Sequence, residues 1–151
     1  HAVPGSATQA PAEAVGRRLA ADALAAADAG PLAIVEGGEA TVTVPADHGS
    51  GGRNQQTVLA AIDAVRRSGC SWPADVLLAS VGTDGEDGPT AAAGAMADAQ
   101  VATALAAAEL DVPRALARCD AHPLLAAAGG LVVTGPTGTN VADLRLVLVR
   151  P

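Results

Sequence analysis

Val76-Leu77-Leu78-Ala79-Ser80-Val81 runs without a charge into Gly82-Thr83-Asp84-Gly85-Glu86-Asp87-Gly88-Pro89-Thr90. The first six residues have the continuous apolar character of a buried strand, and the next nine have turn chemistry. A buried strand that delivers a glycine-hinged polar loop points to an α/β sheet, where loops at the carboxyl ends of strands hold ligands. The pattern recurs at residues 131–133, a short apolar run followed by Thr134-Gly135-Pro136-Thr137-Gly138-Thr139-Asn140. A third polar segment, Gly51-Gly52-Arg53-Asn54-Gln55, opens a helical pattern.

Outward from these segments, residues 12–29 read as a helix with Val15, Leu19, Ala23 and Leu24 on one face, stopped by Gly30-Pro31. Residues 32–35 read as a short buried strand and Glu36-Gly37-Gly38-Glu39 as a turn. Residues 40–44 alternate Val42 and Val44 against Thr41 and Thr43, a half-exposed strand ended by Pro45. These two strands are expected to form a hairpin or to lie as neighbours. Residues 54–68 carry Val58, Ile62 and Val65 at helical spacing before Gly69. A helix is expected over residues 90–108, broken near Ala99, and Pro113 suits the first turn of another. Residues 123–128 add a turn or two of helix, and residues 144–149 a terminal strand. The fold class that follows is α/β, a single domain with a mixed β-sheet of about five strands flanked by helices. The first ten residues, with Pro4 and Gly5, read as a linker-like lead.

A chain of 151 residues fits one domain. It has no Phe or Tyr and single residues of Trp (Trp72) and Met (Met96), so Ala, Val and Leu must fill the interior. The net charge of −7 and nine scattered basic residues, all arginine, argue against nucleic acid. The absence of lysine excludes a Walker-type G-K-[ST] loop and a Schiff-base lysine. The alanine-rich stretch near residues 14–29 carries Arg17, Arg18, Asp22 and Asp28 and is no membrane span. Cys70 and Cys119 form no C-x-x-C pair and are expected to be free and buried, in a cytoplasmic protein. The chain opens at His1 rather than Met, which suggests a segment upstream.

The polar segments carry the candidate chemistry. Gly51 and Gly52 before a helix N-terminus offer free N–H donors and a positive dipole end, and Arg53 can add a bidentate contact to phosphate or carboxylate. The same residues also suit a plain turn with a surface ion pair. Asp84, Glu86 and Asp87 crowd one loop, which suits magnesium held by one or two carboxylates, or a solvated turn with Asp87 capping the following helix. Thr83 is placed to orient water or substrate. Glu39 suits a metal or hydroxyl contact, or a simple turn. His48 and His122 complete no Ser-His-Asp or Cys-His arrangement.

Taken together and in order, four stretches resemble the MOFRL domain, the C-terminal domain of the glycerate 2-kinase family. They are residues 37–44 (GGEATVTV), 51–55 (GGRNQ), 82–95 (GTDGEDGPTAAAGA) and 134–144 (TGPTGTNVADL). The resemblance covers about residues 32–149 and implies ATP- and Mg2+-dependent phosphoryl transfer to the 2-hydroxyl of D-glycerate. It implies catalytic roles for Arg53, Asp84 and Asp87, with Asp84 and Asp87 as metal ligands. Gly37, Gly38, Glu39, Gly52, Asn54, Gln55, Thr83, Gly135, Thr137 and Asn140 would bind substrate or nucleotide. It further implies a larger N-terminal Rossmann-like domain across an interdomain cleft, with residues 1–31 as linker and connecting helix and residues 32–151 as the domain itself. A homodimer is allowed. Two readings compete: a hydroxypyruvate reductase-type oxidoreductase, against which stands the lack of a G-x-G-x-x-G after a strand, and a non-catalytic ligand-binding or assembly module.

Overall fold

The computed structural model describes residues 2–4, 9–27 and 30–150. In chain order the elements are β1 (Ala2–Pro4), α1 (Ala12–Ala26), β2 (Leu32–Gly38), α2 (Arg53–Arg67), β3 (Val76–Gly82) and β4 (Gly94–Ala97). There follow α3 (Ala99–Ala107), α4 (Val112–Ala117), α5 (Ala121–Ala128), β5 (Leu131–Val132) and β6 (Asp143–Val149). The strands form one sheet in the order β1-β2-β6-β3-β4-β5. β1 runs parallel to β2, and the other neighbouring pairs are antiparallel. The expected mixed sheet is present, with a sixth strand.

β6 holds the middle. It pairs along its whole length with β2 on one side and β3 on the other, so Asp143 stands opposite both Gly38 and Gly82. Its alternation is strict: Asp143, Arg145, Val147 and Val149 are buried, and Leu144, Leu146 and Leu148 face the other way. A slip of one residue would exchange these two sets, so the pattern fixes the register. Because β6 is antiparallel to both neighbours, its first residue meets their last ones. The end of the sheet where β2 and β3 terminate therefore gathers the loops after both strands and the loop before β6.

The helices share one core with the inward face of the sheet. Val15 and Leu19 of α1, Val58, Leu59 and Ile62 of α2, Leu105 and Leu125 pack with Val76, Leu78 and Val147. Each such side chain contributes roughly 1.5–3 kcal/mol on full burial. Trp72 is buried, and its Nε1–H donates to the Val76 carbonyl at 2.9 Å. α1 and α2 approach closely because small residues line the seam. A Cβ on Gly16 would lie 2.2 Å from the Thr57 carbonyl oxygen. α1 thus packs as part of the core.

Several sequence expectations are corrected. Ala2–Pro4 is a strand against β2, where a linker-like lead was expected; Gly5 lies outside the described residues. So do Asp28 and Ala29 at the expected end of the first helix. Residues 36–38 do not turn, because pairing with β6 carries β2 on to Gly38. Residues 40–44 make no hairpin: Thr41 forms an isolated bridge to Pro11, and the Ala12 N–H donates to the Thr41 carbonyl. The helix expected over residues 90–108 is instead β4 followed by α3, which Asp98 caps through the N–H groups of Gln100 and Val101. Gly94 decides this, since a Cβ there would lie 2.1 Å from the Ser80 carbonyl oxygen of β3. Only glycine lets the two backbones come so close. Both cysteines are free, but Cys70 is exposed and Cys119 half-buried.

Gly16→Val is expected to destabilise the protein by about 2–3 kcal/mol, because backbone blocks the added side chain. The midpoint of urea unfolding measures this, and an unchanged midpoint would make α1 a dispensable appendage.

Candidate active site

The site begins with a helix end that is already filled. Asp87, from the loop after β3, sits against the first turn of α2 and accepts from the backbone N–H groups of Asn54 (3.0 Å) and Gln55 (2.9 Å). The side-chain amides of the same residues donate to it as well, at 3.2 and 2.9 Å. The positive end of the helix thus holds an internal carboxylate, and no external anion can take those donors. Gly52 makes this possible: a Cβ on it would fall 2.3 Å from the Asp87 carboxyl carbon. Burial pushes the Asp87 carboxyl above the ordinary carboxylate range, opposed by the four N–H donors. Asp87 caps α2 rather than the helix that follows it in sequence.

Gln55 is fully buried, and its Nε2 also donates to Thr90 Oγ1 at 3.0 Å. Its Oε1 lies 2.9 Å from His122 Nδ1, which therefore carries a proton toward it. Asn54 bridges two carboxylates, Asp87 and Asp143, and its Oδ1 accepts from Ser80 Oγ at 2.6 Å. The side chains expected to bind ligand at positions 54 and 55 are consumed in the frame.

Asp143 is the second anchor. Arg53 Nε and Nη2 donate to its two oxygens, both at 2.8 Å, and Nη2 also reaches Glu39 at 3.1 Å. The hydrogen bonds to Asp143 raise the Arg53 pKa against the cost of burial. The fork is fixed, yet Arg53 keeps about a third of its side chain exposed, and its Nη1 meets no hydrogen-bond partner among the described residues. Behind Asp143 lies fully buried Arg145, whose pKa burial lowers. Its Nη1 and Nη2 donate to the carbonyls of Gly37 and Gly38 at 3.4 and 3.2 Å, and its Nε has no partner. Gly37 and Gly38 thus present carbonyls inward. Glu36, also buried, is held by Arg18 of α1.

The third part joins the loops after β3 and β5. Asn140 Nδ2 donates to Asp84 Oδ2 at 3.0 Å, and the Glu86 N–H to Asp84 Oδ1 at 3.1 Å. Thr137 donates its backbone N–H to the Asp84 carbonyl and its hydroxyl to the Thr83 carbonyl. Thr83 Oγ1 donates to the Ala142 carbonyl and accepts from the Val141 N–H, so it ties loops together. Gly135 packs its carbonyl against Gly85. Ala142 immediately precedes Asp143, and in this way the Asp84–Asn140 pair is linked to the Arg53 anchor.

Of the two carboxylates expected to hold magnesium, Asp87 is engaged by the first turn of α2. Both Asp87 oxygens face amide donors, leaving Asp84 as the partly open carboxylate of the two. Among the described residues no three His, Cys, Asp or Glu side chains gather to hold an ion. A hollow of about 290 Å3 opens beside Arg53, lined by Val42, Val44, His48, Gly51, Gly52 and Cys119. A larger one, about 610 Å3, lies at the other end of α2 among Trp72, Ala102, Leu105 and Val112. Of the converging polar groups, Arg53 lines the smaller one.

Sequence reading brought Arg53, Glu39, Asp84, Thr83, Thr137 and Asn140 to one end of the sheet. It missed Asp143 and Arg145, although polar residues two apart in a strand pattern were a signal that both point inward. Asp87→Asn would set an amide N–H2 against donors in a buried site. It is expected to cost about 2–3 kcal/mol and to speed hydrogen exchange at the Asn54 and Gln55 amides. Normal exchange there would refute the capping role.

Residues 32–143 match the MOFRL family. Human glycerate kinase is 44% identical over 128 residues, covering 81% of this chain and 24% of that protein. The D-glycerate 2-kinase of Thermotoga maritima is 44% identical over 119 residues, covering 79% of this chain and 27% of that protein. A crystal structure of glycerate kinase from Thermotoga maritima superposes with a TM-score of 0.88 at 37% identity, over 99% of this chain and 36% of that one. The chain thus spans about a quarter to a third of the length of these relatives. With the family model matching most of its length, this chain belongs to the MOFRL family.

Proposed function

We propose that this domain forms one wall of a glycerate 2-kinase active site, where ATP transfers its terminal phosphoryl group to the 2-hydroxyl of D-glycerate. The observation that carries the reading is Arg53. It is locked by Asp143 through two donors, its Nη1 has no hydrogen-bond partner among the described residues, and the residue lines a small hollow. Phosphoryl transfer depends mainly on positioning and charge neutralisation, and a guanidinium fixed in advance spends little on reorganisation. Arg53 would take charge from the moving phosphoryl group or hold the glycerate carboxylate. Asp84, oriented by Asn140, would face the acceptor hydroxyl, and Glu39 and Asn140 would close the wall. In the transfer the bond from the γ-phosphorus to the ADP oxygen would break, one to the glycerate 2-oxygen would form, and the hydroxyl proton would pass to the Asp84 carboxylate and on to water.

Asp87 takes a positioning role in this reading, by fixing the helix that presents Arg53. Magnesium accompanying ATP would find Asp84 on this wall and no paired carboxylate. The opposite wall would be the Rossmann-like domain that the resemblance implies. A cytoplasmic location goes with this reading, and no helix of the described residues is long and apolar enough to cross a membrane.

The test uses a polypeptide that joins this domain to a companion portion of relative length. ADP formation from ATP and D-glycerate is expected, and NADH oxidation with hydroxypyruvate is not. Arg53→Lys keeps a cation beside Asp143 but loses the fork, and is expected to lower kcat by about 10³-fold with the far-UV circular dichroism unchanged. A near-normal kcat would remove Arg53 from the mechanism, and NADH oxidation without ADP formation would favour the reductase.

A further inference from the structure

Among the described residues, three other than glycine have a positive φ: Glu109 (50°), Cys119 (52°) and Ala142 (69°). The first two come directly after the C-caps of α3 and α4, where a left-handed residue is an ordinary way to end a helix. Ala142 ends no helix. It lies between the loop after β5 and the first residue of β6. A Cβ disfavours this conformation in an L-residue, and alanine has no polar side chain to offset the strain locally. The surroundings must therefore hold it.

The holder is Thr83. Its Oγ1 donates to the Ala142 carbonyl at 2.7 Å, and its backbone N–H donates to the same oxygen at 3.1 Å. The hydroxyl also accepts from the Val141 N–H at 2.8 Å, so it spans residues 141 and 142. With its proton spent on Ala142, this hydroxyl has no donor left for a ligand. On the other side the Ala142 N–H donates to Asn140 Oδ1 at 3.0 Å, and Asn140 turns its Nδ2 to Asp84. Ala142 is thus joined through its N–H to the Asp84 carboxylate. Through its carbonyl carbon it is joined to Asp143, which holds Arg53.

Pairing opposite Gly38 and Gly82 pins Asp143, so it cannot shift to relieve the strain. Relaxation of Ala142 would fall on the loop before it, and so on Asn140 and Asp84. The two halves of the candidate site, Arg53 with Asp143 and Asp84 with Asn140, keep one relative placement only while Ala142 stays left-handed.

We propose that Thr83 is a positioning residue, a latch whose hydroxyl keeps Ala142 left-handed and so fixes Asp84 and Asn140 relative to Arg53. What that placement serves rests on the kinase reading; the latch itself rests on backbone geometry alone.

Thr83→Val removes the hydroxyl, keeps the shape and leaves the backbone N–H bond at this position in place. In the 151-residue chain it is expected to speed amide exchange at Ala142 about tenfold, the order of the bias of an L-residue against this conformation, and Thr83→Ser to restore it. In the polypeptide joined to its companion portion, Thr83→Val is expected to lower kcat about tenfold and to leave both KM values within about threefold, because placement is lost and binding is not. Adding Ala142→Gly, which reaches the same conformation without strain, is expected to return kcat to within about threefold of wild type. That recovery separates a latch from a hydroxyl that touches substrate. If Thr83→Val does not fold, Thr83→Ala serves with the same criteria.

An unchanged exchange rate at Ala142 overturns the proposal. So does a kcat that Thr83→Val leaves near wild type, or a loss that Ala142→Gly fails to recover. A joined polypeptide that forms no ADP at all counts against the kinase reading, and the exchange result then decides the latch by itself.

Discussion

A buried carboxylate at the start of α2 sets the geometry of everything around it. Asp87 brings the loop after β3 onto the helix end, and four N–H groups compensate its burial. Taking a charge out of water is costly unless its lone pairs are met, so a carboxylate in this setting tolerates little displacement. The loop and the first turn of α2 therefore form one rigid corner. Gly52 and the polar residues 54 and 55 follow from it: the first must be small enough to let the carboxylate in, and the others must donate to it.

From that corner a line of alternating charge runs beneath the end of the sheet. Arg53 meets Asp143, Asp143 lies near Arg145 at 3.7 Å, and Glu36 further back is taken by Arg18. Each member is oriented by its neighbours, and Arg53 alone of the three arginines opens onto the hollow beside Gly51 and Gly52. The unpartnered Nε of Arg145 marks the tightest point of the line, where carbonyls of Gly37 and Gly38 accept the rest of the guanidinium. An arginine held in this way presents its charge without the side-chain entropy loss that a free surface arginine would incur on meeting a ligand.

What could be read from the sequence was local. The helix of α2, the strands β3 and β6 and the three polar loops announce themselves within a window of a dozen residues. The bonds that assemble the site do not: Asp87 reaches residues more than thirty positions earlier, and Arg53 reaches Asp143 ninety positions later. The helix-end donors read from Gly51-Gly52-Arg53 meet a carboxylate from within the chain, because Asp87 accepts from the Asn54 and Gln55 N–H groups. β4 was hidden for another reason. Its Gly-Ala-Met-Ala run has the composition of a helix, and pairing with β3 and β5 overrides that preference. Residues 40–44 alternate like a strand but find only an isolated bridge to Pro11, since β6 has taken the edge of β2 that a hairpin would need.

The central place of β6 also bears on how the chain is made. It emerges from the ribosome after every other element described, yet β2 and β3 pair with it and not with each other. Until it arrives, the nascent sheet is split into two unjoined parts, each with unsatisfied backbone and apolar side chains. Contacts of such long sequence separation close slowly and leave the incomplete chain prone to mispairing. Vectorial synthesis therefore completes the sheet and the Arg53 anchor in the same late step.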